Sequence, residues 1–334
     1  MSTASAGQAQ LPTPDLRVDL AGVPLRHPVL NASGTFDVLA ASASLDRDYL
    51  HDCPFSAYVP KTITLEPRSG NAPPRVTETP SGMINSIGLE NPGLVEFARA
   101  LPQLAELREP LIVSVGGSRT QDYAAVVRGL EERLDAGGAL PQVAGYELNV
   151  SCPNVRSGIA IGSDPAEVAR LLAAVRPLTR RVIIVKLTPN VTAVGPVALA
   201  AAGGGADVVS LVNTFKAMAI DPTTLTPFLG NRTGGLCGPA IKPIALRMVA
   251  EVAEAVELPI VGMGGIVAGL DVLEFVACGA TAVAVGAATF ADPRAPERIV
   301  DELSAEMLVR DIGSLAEVRG RALLHGSRPS AAPG

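Results

Sequence analysis

Tryptophan is absent from the 334 residues, histidine occurs three times, and aromatic residues make up 3% of the chain. So few histidines argue against a His-rich metal site and against catalysis built on a His cluster. Cysteine is scarce too: Cys53, Cys152, Cys237 and Cys278 are the four, and no two of them form a CxxC pair. This argues against an iron–sulfur cluster or zinc knuckle held by this chain alone, and the spacing is not that of a disulfide framework. A reducing, cytoplasmic compartment is expected. Basic charge is also short, with 27 Lys and Arg against 33 Asp and Glu, a formal net charge of −6. That argues against a nucleic-acid partner, since backbone binding favours a basic face. No apolar run reaches the roughly 18 residues of a membrane span. The first 15 residues are rich in Ala, Ser, Gln and Pro and lack the basic and apolar regions of a signal peptide.

What the chain has in quantity is apolar residues, 48% of the total, with 18% charged. This is ample material for a core and too apolar for a disordered chain. From residue 29 to residue 290, short β-branched runs alternate with longer stretches rich in Ala, Leu, Glu and Arg. Strands are expected at 29–33, 57–63, 111–115, 145–150, 182–187, 208–213, 259–263 and 282–285. Helix-like stretches at 120–136, 164–175, 194–202, 240–256 and 270–277 lie between them, with a short one around 40–50. In the second of these, Asp164 is a candidate cap and Pro165 sits in the first turn. Nearly continuous apolar strands joined by helices mean βαβ units and a parallel sheet. Eight units predict closure into a (β/α)₈ TIM barrel of the α/β class. No linker divides residues 16–315, which are expected to form one domain. Residues 1–15 and 325–334 are expected to be flexible ends. Two long excursions, 66–109 and 215–238, are read as loops of the kind that build barrel sites.

Polar residues at the C-terminal ends of the strands carry the next signal, because barrel ligands bind at that end. Lys61, Asn149, Lys186 and Asn213 are so placed. The plainer reading for the lysines is an ion pair with an acidic neighbour, and for the asparagines a structural amide tying down a loop. Gly264 and Gly265 follow the seventh strand, and Gly286 and Ala287 follow the eighth. Glycine there lets backbone N–H groups approach an anion, and a phosphate held by the last two βα-loops is a recurrent barrel arrangement. Tight turns are the alternative. Cys152 lies two residues past a strand end, between Asn149 and Asn154. A loop thiol among amides can serve as nucleophile or base, or simply as a small buried hydrophobe.

Taken together, these motifs resemble the dihydroorotate dehydrogenase family over about residues 16–310. The resemblance runs through Asn31-Ala32-Ser33-Gly34, Lys61-Thr62, Asn71-Ala72-Pro73-Pro74-Arg75, and the stretch from Ser81 to Gly93 that contains Asn85. Its most specific element is Glu147-Leu148-Asn149-Val150-Ser151-Cys152-Pro153-Asn154-Val155. Val185-Lys186-Leu187-Thr188-Pro189-Asn190, Val212-Asn213-Thr214, the run from Gly234 to Pro243 and the two glycine turns complete it. The subfamily resembled most is class 1B, the catalytic subunit of an NAD-linked enzyme.

The resemblance implies FMN in the barrel mouth and oxidation of dihydroorotate to orotate in pyrimidine biosynthesis. Ala32, Ser33 and Gly34 would pass along the flavin, and Lys61, Thr62, Asn149 and Lys186 would contact it. Gly235, Cys237, Gly238, Gly264, Gly265, Gly286 and Ala287 would lie near its phosphate. Lys61, Asn85, Asn149, Asn154, Asn213 and Thr214 would hold the substrate. Cys152 would take the C5 proton while the C6 hydride passes to the flavin, with Lys186 near the edge of the ring where charge develops. The resemblance further implies a homodimer within a heterotetramer, whose second subunit would carry FAD and a [2Fe–2S] cluster and reduce NAD. This chain has neither a cysteine array nor a GxGxxG fingerprint after a strand with which to do that itself. Three positions depart from the family pattern: Cys237 where Ser is usual, Ala287 where Thr or Ser is common, and Ser114-Val115-Gly116-Gly117 where Asn commonly occupies the first or second place. The competing enzyme readings are a dihydropyrimidine dehydrogenase-like barrel acting on uracil or thymine, and a fumarate-linked class 1A enzyme.

Overall fold

The computed structural model describes residues 13–150 and 161–323. In chain order the strands are β1 (Val18–Leu20), β2 (Val23–Leu25), β3 (Val29–Asn31), β4 (Val76–Thr79), β5 (Gly82–Asn85), β6 (Leu111–Val115), β7 (Val143–Asn149), β8 (Val182–Lys186), β9 (Val208–Leu211), β10 (Phe215–Ala217), β11 (Gly234–Cys237), β12 (Ile260–Met263) and β13 (Ala282–Val285). Seven of them form one parallel sheet in the order β3-β13-β12-β9-β8-β7-β6. The sheet curls into an α/β barrel with helices packed on its outside.

The eighth member of the ring is the segment 57–63, and it is not a regular strand. It touches β6 at two isolated parallel bridges, Tyr58 to Leu111 and Ile63 to Val115. Five residue steps on one side match four on the other, so the segment carries one extra residue, as a bulge does. Pro60, which has no N–H to give to a ladder, lies inside it. On its other side the backbone pairs with β3 through Ser56 N–H to the Val29 carbonyl, 3.0 Å. Beyond that the Asn31 side chain takes over. Its Oδ1 accepts from Val59 N–H at 2.8 Å and its Nδ2 donates to the Val59 carbonyl at 2.7 Å. The carboxamide acts as a peptide group would, and the ring closes through a side chain.

Outside the barrel, helices bury one stripe each. In helix Thr120–Asp135, Tyr123, Val126, Val127 and Leu130 are buried, the spacing of one helical face. Helix Pro165–Val175 starts as the sequence predicts: the Asp164 side chain accepts from Ala166 N–H at 2.8 Å, with Pro165 in the first turn. Helix Ala295–Val309, buried through Ile299, Leu303 and Met307, closes the outer layer and is absent from the sequence-based expectation.

The two long excursions hold more order than loops. They pair as a four-stranded antiparallel sheet, β10-β11-β5-β4, beside the barrel mouth. The β1–β2 hairpin closes the opposite end: Leu20, Val23 and Leu25 share an apolar cluster with Leu30, Ile112, Ile184, Val208, Val261 and Ala282 inside the ring.

Candidate active site

Alternation along the strands sets the character of the barrel interior. Side chains two apart on a strand share a face. Reading inward positions upward, Ile112 is followed by Ser114, Ile184 by Lys186, and Val208 by Ser210, while Glu147 and Asn149 share one face of β7. The interior is therefore apolar toward the hairpin and polar toward the C-terminal ends of the strands. Register aligns the polar layer, pairing Ser114 with Glu147, Asn149 with Lys186, and Lys186 with Ser210.

One chain of hydrogen bonds runs through this layer. Lys186 Nζ donates to Ser33 Oγ at 3.2 Å and lies 3.5 Å from Glu147 Oε1. Ser114 Oγ donates to Glu147 Oε1 at 3.2 Å, and Ser210 Oγ to Oε2 at 3.3 Å. Ser114 also meets Thr62 Oγ1 at 2.9 Å, and Thr62 Oγ1 accepts from Asn149 Nδ2 at 3.1 Å. Asn149 Oδ1 accepts from Asn213 Nδ2 at 3.3 Å, and Asn213 Oδ1 accepts from Thr214 N–H at 2.8 Å. The Tyr123 hydroxyl donates to the Asn149 carbonyl at 3.0 Å and fixes the end of β7. Lys186 and Glu147 are 4% and 5% exposed, so the centre of the layer is dry.

A second group comes from the antiparallel sheet. Asn85 on β5 pairs with Gly235 on β11, and its Nδ2 reaches the Gly235 carbonyl at 3.4 Å. Thr214 packs so closely on Gly235 that a Cβ there would lie 1.9 Å from its Oγ1. Cys237 Sγ donates to the Met83 carbonyl at 3.5 Å, and burial pushes its thiol up to about 11. A hydrogen-bonded thiol with its pKa raised in this way is a poor nucleophile near neutral pH.

Glycines bring the loops together. Gly34, at φ +75°, lies against Lys61, whose Cδ would be 2.7 Å from a Cβ there. Gly264 and Gly265 also have positive φ, +125° and +80°. A Cβ on Gly265 would come 2.9 Å from the Gly238 carbonyl and 3.0 Å from Lys242 N. Gly286 faces Ala32, 3.3 Å from its own hypothetical Cβ, and Ala287 follows it past β13. The turns after β12 and β13 thus lie side by side, with Gly238 and Ala32 at their edges.

The structure places Ala32, Ser33, Gly34, Lys61, Thr62, Asn149, Lys186, Asn213 and Thr214 in one neighbourhood, with Asn85, Gly235 and Cys237 on the adjoining sheet and Gly238 just past its strand β11. Cys152 and Asn154 lie outside the described residues. Ser114 keeps a hydroxyl bond on both sides despite departing from the family pattern. Three residues to which the sequence reading assigns no role take part in the site or its frame: Glu147, Ser210 and Asn31. A signal for Glu147 exists, since it stands two residues before Asn149 on an otherwise apolar strand and must share its face.

No group of three or more His, Cys, Asp or Glu residues suited to a metal occurs among the described residues. Among them too, no helix is long and apolar enough to cross a membrane. What remains is a parallel barrel with lysines, carboxamides and glycine turns gathered at the C-terminal mouth, the layout of a barrel enzyme acting on a polar, anionic ligand.

Comparison with known proteins narrows this class. A family model described as dihydroorotate dehydrogenase matches residues 15–307. A relative from Desulforudis audaxviator, named dihydroorotate dehydrogenase B (NAD(+)), catalytic subunit, is 48% identical over 303 residues, which is 89% of this chain and 95% of the relative. Relatives of the same name from Pelobacter propionicus and Geobacter sulfurreducens are each 45% identical over 309 residues, 92% of this chain and 98% of theirs. The chain belongs to the dihydroorotate dehydrogenase family.

Proposed function

We propose that residues 16–315 form one catalytic domain that oxidises dihydroorotate to orotate with FMN, as the catalytic subunit of an NAD-linked enzyme of pyrimidine biosynthesis. The relatives' shared name supports the substrate and the NAD link. The observation that carries the reading is the hydrogen-bonded chain from Ser33 and Lys186 through Thr62 to Asn149 and Asn213, buried at its centre and partly exposed at Ser33 and Asn213. It joins a cation to carboxamides at one mouth, as a flavin lying against a pyrimidine requires.

FMN fits the residues present. Its phosphate suits the paired turns at Gly264, Gly265, Gly286 and Ala287, with Gly235, Cys237 and Gly238 nearby, where bare backbone N–H groups can meet an anion. Its ring suits the Ala32–Gly34 loop together with Lys61, Thr62, Asn149 and Lys186. When bound, FMN supplies the acceptor for the hydride leaving C6 of the substrate. The chain supplies the rest. Asn85, Asn149, Asn154 and Asn213 meet the ring's donors and acceptors, because a carboxamide offers both. Thr214 adds a hydroxyl, and Lys61 a positive charge. Cys152 removes the proton from C5. Lys186 places a fixed cation in a dry layer, where such a charge acts most strongly.

A name ending in "catalytic subunit" implies another subunit. The reading assigns to it FAD and a [2Fe–2S] cluster that carry electrons to NAD, in a heterotetramer built on a homodimer of this chain. The test is product formation by the purified, flavin-loaded chain without oxygen. One orotate per flavin, and no uracil from dihydrouracil, is the expected result. Uracil without orotate would replace this reading with the dihydropyrimidine one.

A further inference from the structure

Glu147 lies at the centre of the polar layer, yet it reaches neither the mouth nor any residue of the antiparallel sheet by a hydrogen bond. Its two carboxylate oxygens meet three partners, Lys186, Ser114 and Ser210, all of them buried. A carboxylate so far from water is costly, and apolar residues of similar size usually serve stability as well or better than a buried ion pair. Stability alone gives no reason for a charge here.

Geometry gives one. Glu147 is one inward position below Asn149, and Asn149 is level with Lys186. The anion therefore lies beneath the cation, on the side away from the mouth. Ser114 on the adjacent strand β6 and Ser210 on β9, two strands away on the other side, fix the carboxylate, and the carboxylate in turn restrains the flexible lysine whose ammonium also meets Ser33. At 3.5 Å in a dry interior, its charge offsets part of the field that Lys186 projects upward.

We infer that Glu147 is a positioning residue that holds Lys186 at the barrel mouth and, as its counter-charge, sets how strongly the site favours reduced over oxidised flavin. This rests on the reading of Lys186 as facing FMN. The Ser114–Thr62 link extends the same restraint to Asn149, so one carboxylate orders both the cofactor-facing and the substrate-facing sides.

The test is a double-mutant cycle on the full chain, reading the midpoint potential of the bound flavin and the FMN dissociation constant for the parent, E147Q, K186M and E147Q/K186M. Glutamine keeps the shape and an acceptor for Lys186 but removes the charge. E147Q is expected to favour reduced flavin by about tenfold, about 30 mV upward for a two-electron couple. The shift is expected to vanish in the K186M background. E147D, which keeps the charge but is one methylene shorter, is expected to shift the potential less than E147Q does. An unchanged potential, a downward shift, or an equal shift with and without Lys186 would overturn the inference, as would an E147D that behaves like E147Q. If K186M alone leaves both the potential and FMN binding unaltered, the flavin-facing reading of Lys186 falls, and this inference with it. Should E147Q not fold, E147D and S210A carry the test. S210A leaves one carboxylate oxygen with no serine donor and is expected to shift the potential only where Lys186 is present; a shift that persists in K186M, or none at all, would overturn the inference.

Discussion

Replacing Asn31 by leucine would open the barrel where its side chain joins β3 to the segment 57–63. Leucine keeps the branched shape without leaving a cavity, but both bonds to Val59 are lost. Val59 is 4% exposed and Asn31 fully buried, so water cannot substitute. A buried N–H and a buried C=O left unpaired each cost about 1–3 kcal/mol, which puts the loss at about 2–6 kcal/mol. That is a large share of the roughly 5–15 kcal/mol that stabilises a typical domain. Asn31 Nδ2 also reaches the Ala32 carbonyl at 3.2 Å, at the start of the loop that carries Ser33 and Gly34. Weaker FMN retention should therefore accompany the lower stability. Denaturant unfolding of the flavin-loaded and flavin-free protein measures the first effect, and hydrogen exchange at the Val59 amide locates it. A loss below about 0.5 kcal/mol, with Val59 still protected, would refute closure through this carboxamide.

Other predictions follow from the same contacts. Gly235→Ala should force Thr214 away and raise the KM for dihydroorotate by about tenfold, the low end of an overpacking penalty; an unchanged KM would separate Thr214 from the substrate. Cys237→Ser should leave flavin reduction by dihydroorotate intact, and alkylation of Cys237 in the parent should stay slow until pH approaches 11. His27 is held near 3, far below its usual 6.5, first by burial and then by the Arg26 charge, and its Nδ1 accepts from Val29 N–H. The unfolded chain binds this proton first, so the contribution is complete above pH 6.5 and is lost as pH falls toward 3, at about 1.4 kcal/mol per unit. His27→Gln should flatten that part of the stability profile; an unaltered slope would assign acid unfolding to other groups.

Most of the barrel was legible because a parallel strand covered on both faces has little freedom in composition. Val182–Lys186 and Ala282–Val285 read as strands from their apolar runs alone, and Asp164-Pro165 marked a helix start through its capping chemistry. The segment 57–63 carries the same apolar signal, but one surplus residue and Pro60 deny it a ladder, and neither effect appears in periodicity. The sheet beside the mouth was hidden for a different reason. Strands β4, β5, β10 and β11 are three or four residues long and rich in polar residues and glycine, and their pairing joins segments about 150 residues apart. Local pattern holds no trace of such a pairing. In the site, Asn149, Asn213, Lys61 and Lys186 stood out as polar residues at strand ends. Glu147 did not, because it sits one layer deeper and its partners Ser114 and Ser210 come from strands on either side. The ion pair that a plain reading foresees for Lys186 is present. It is compatible with a cofactor-facing role because Glu147 approaches from below.

The most direct test of the central claim is anaerobic mixing of the flavin-loaded chain with dihydroorotate, following the visible absorbance of the flavin in the parent and in Cys152→Ala. The account predicts rapid bleaching in the parent and a loss of at least a hundredfold in the variant, within the range for removal of a general base. Bleaching at equal rates in both would contradict the role of Cys152. No bleaching in the parent, with reduction by dihydrouracil instead, would contradict the proposed function itself.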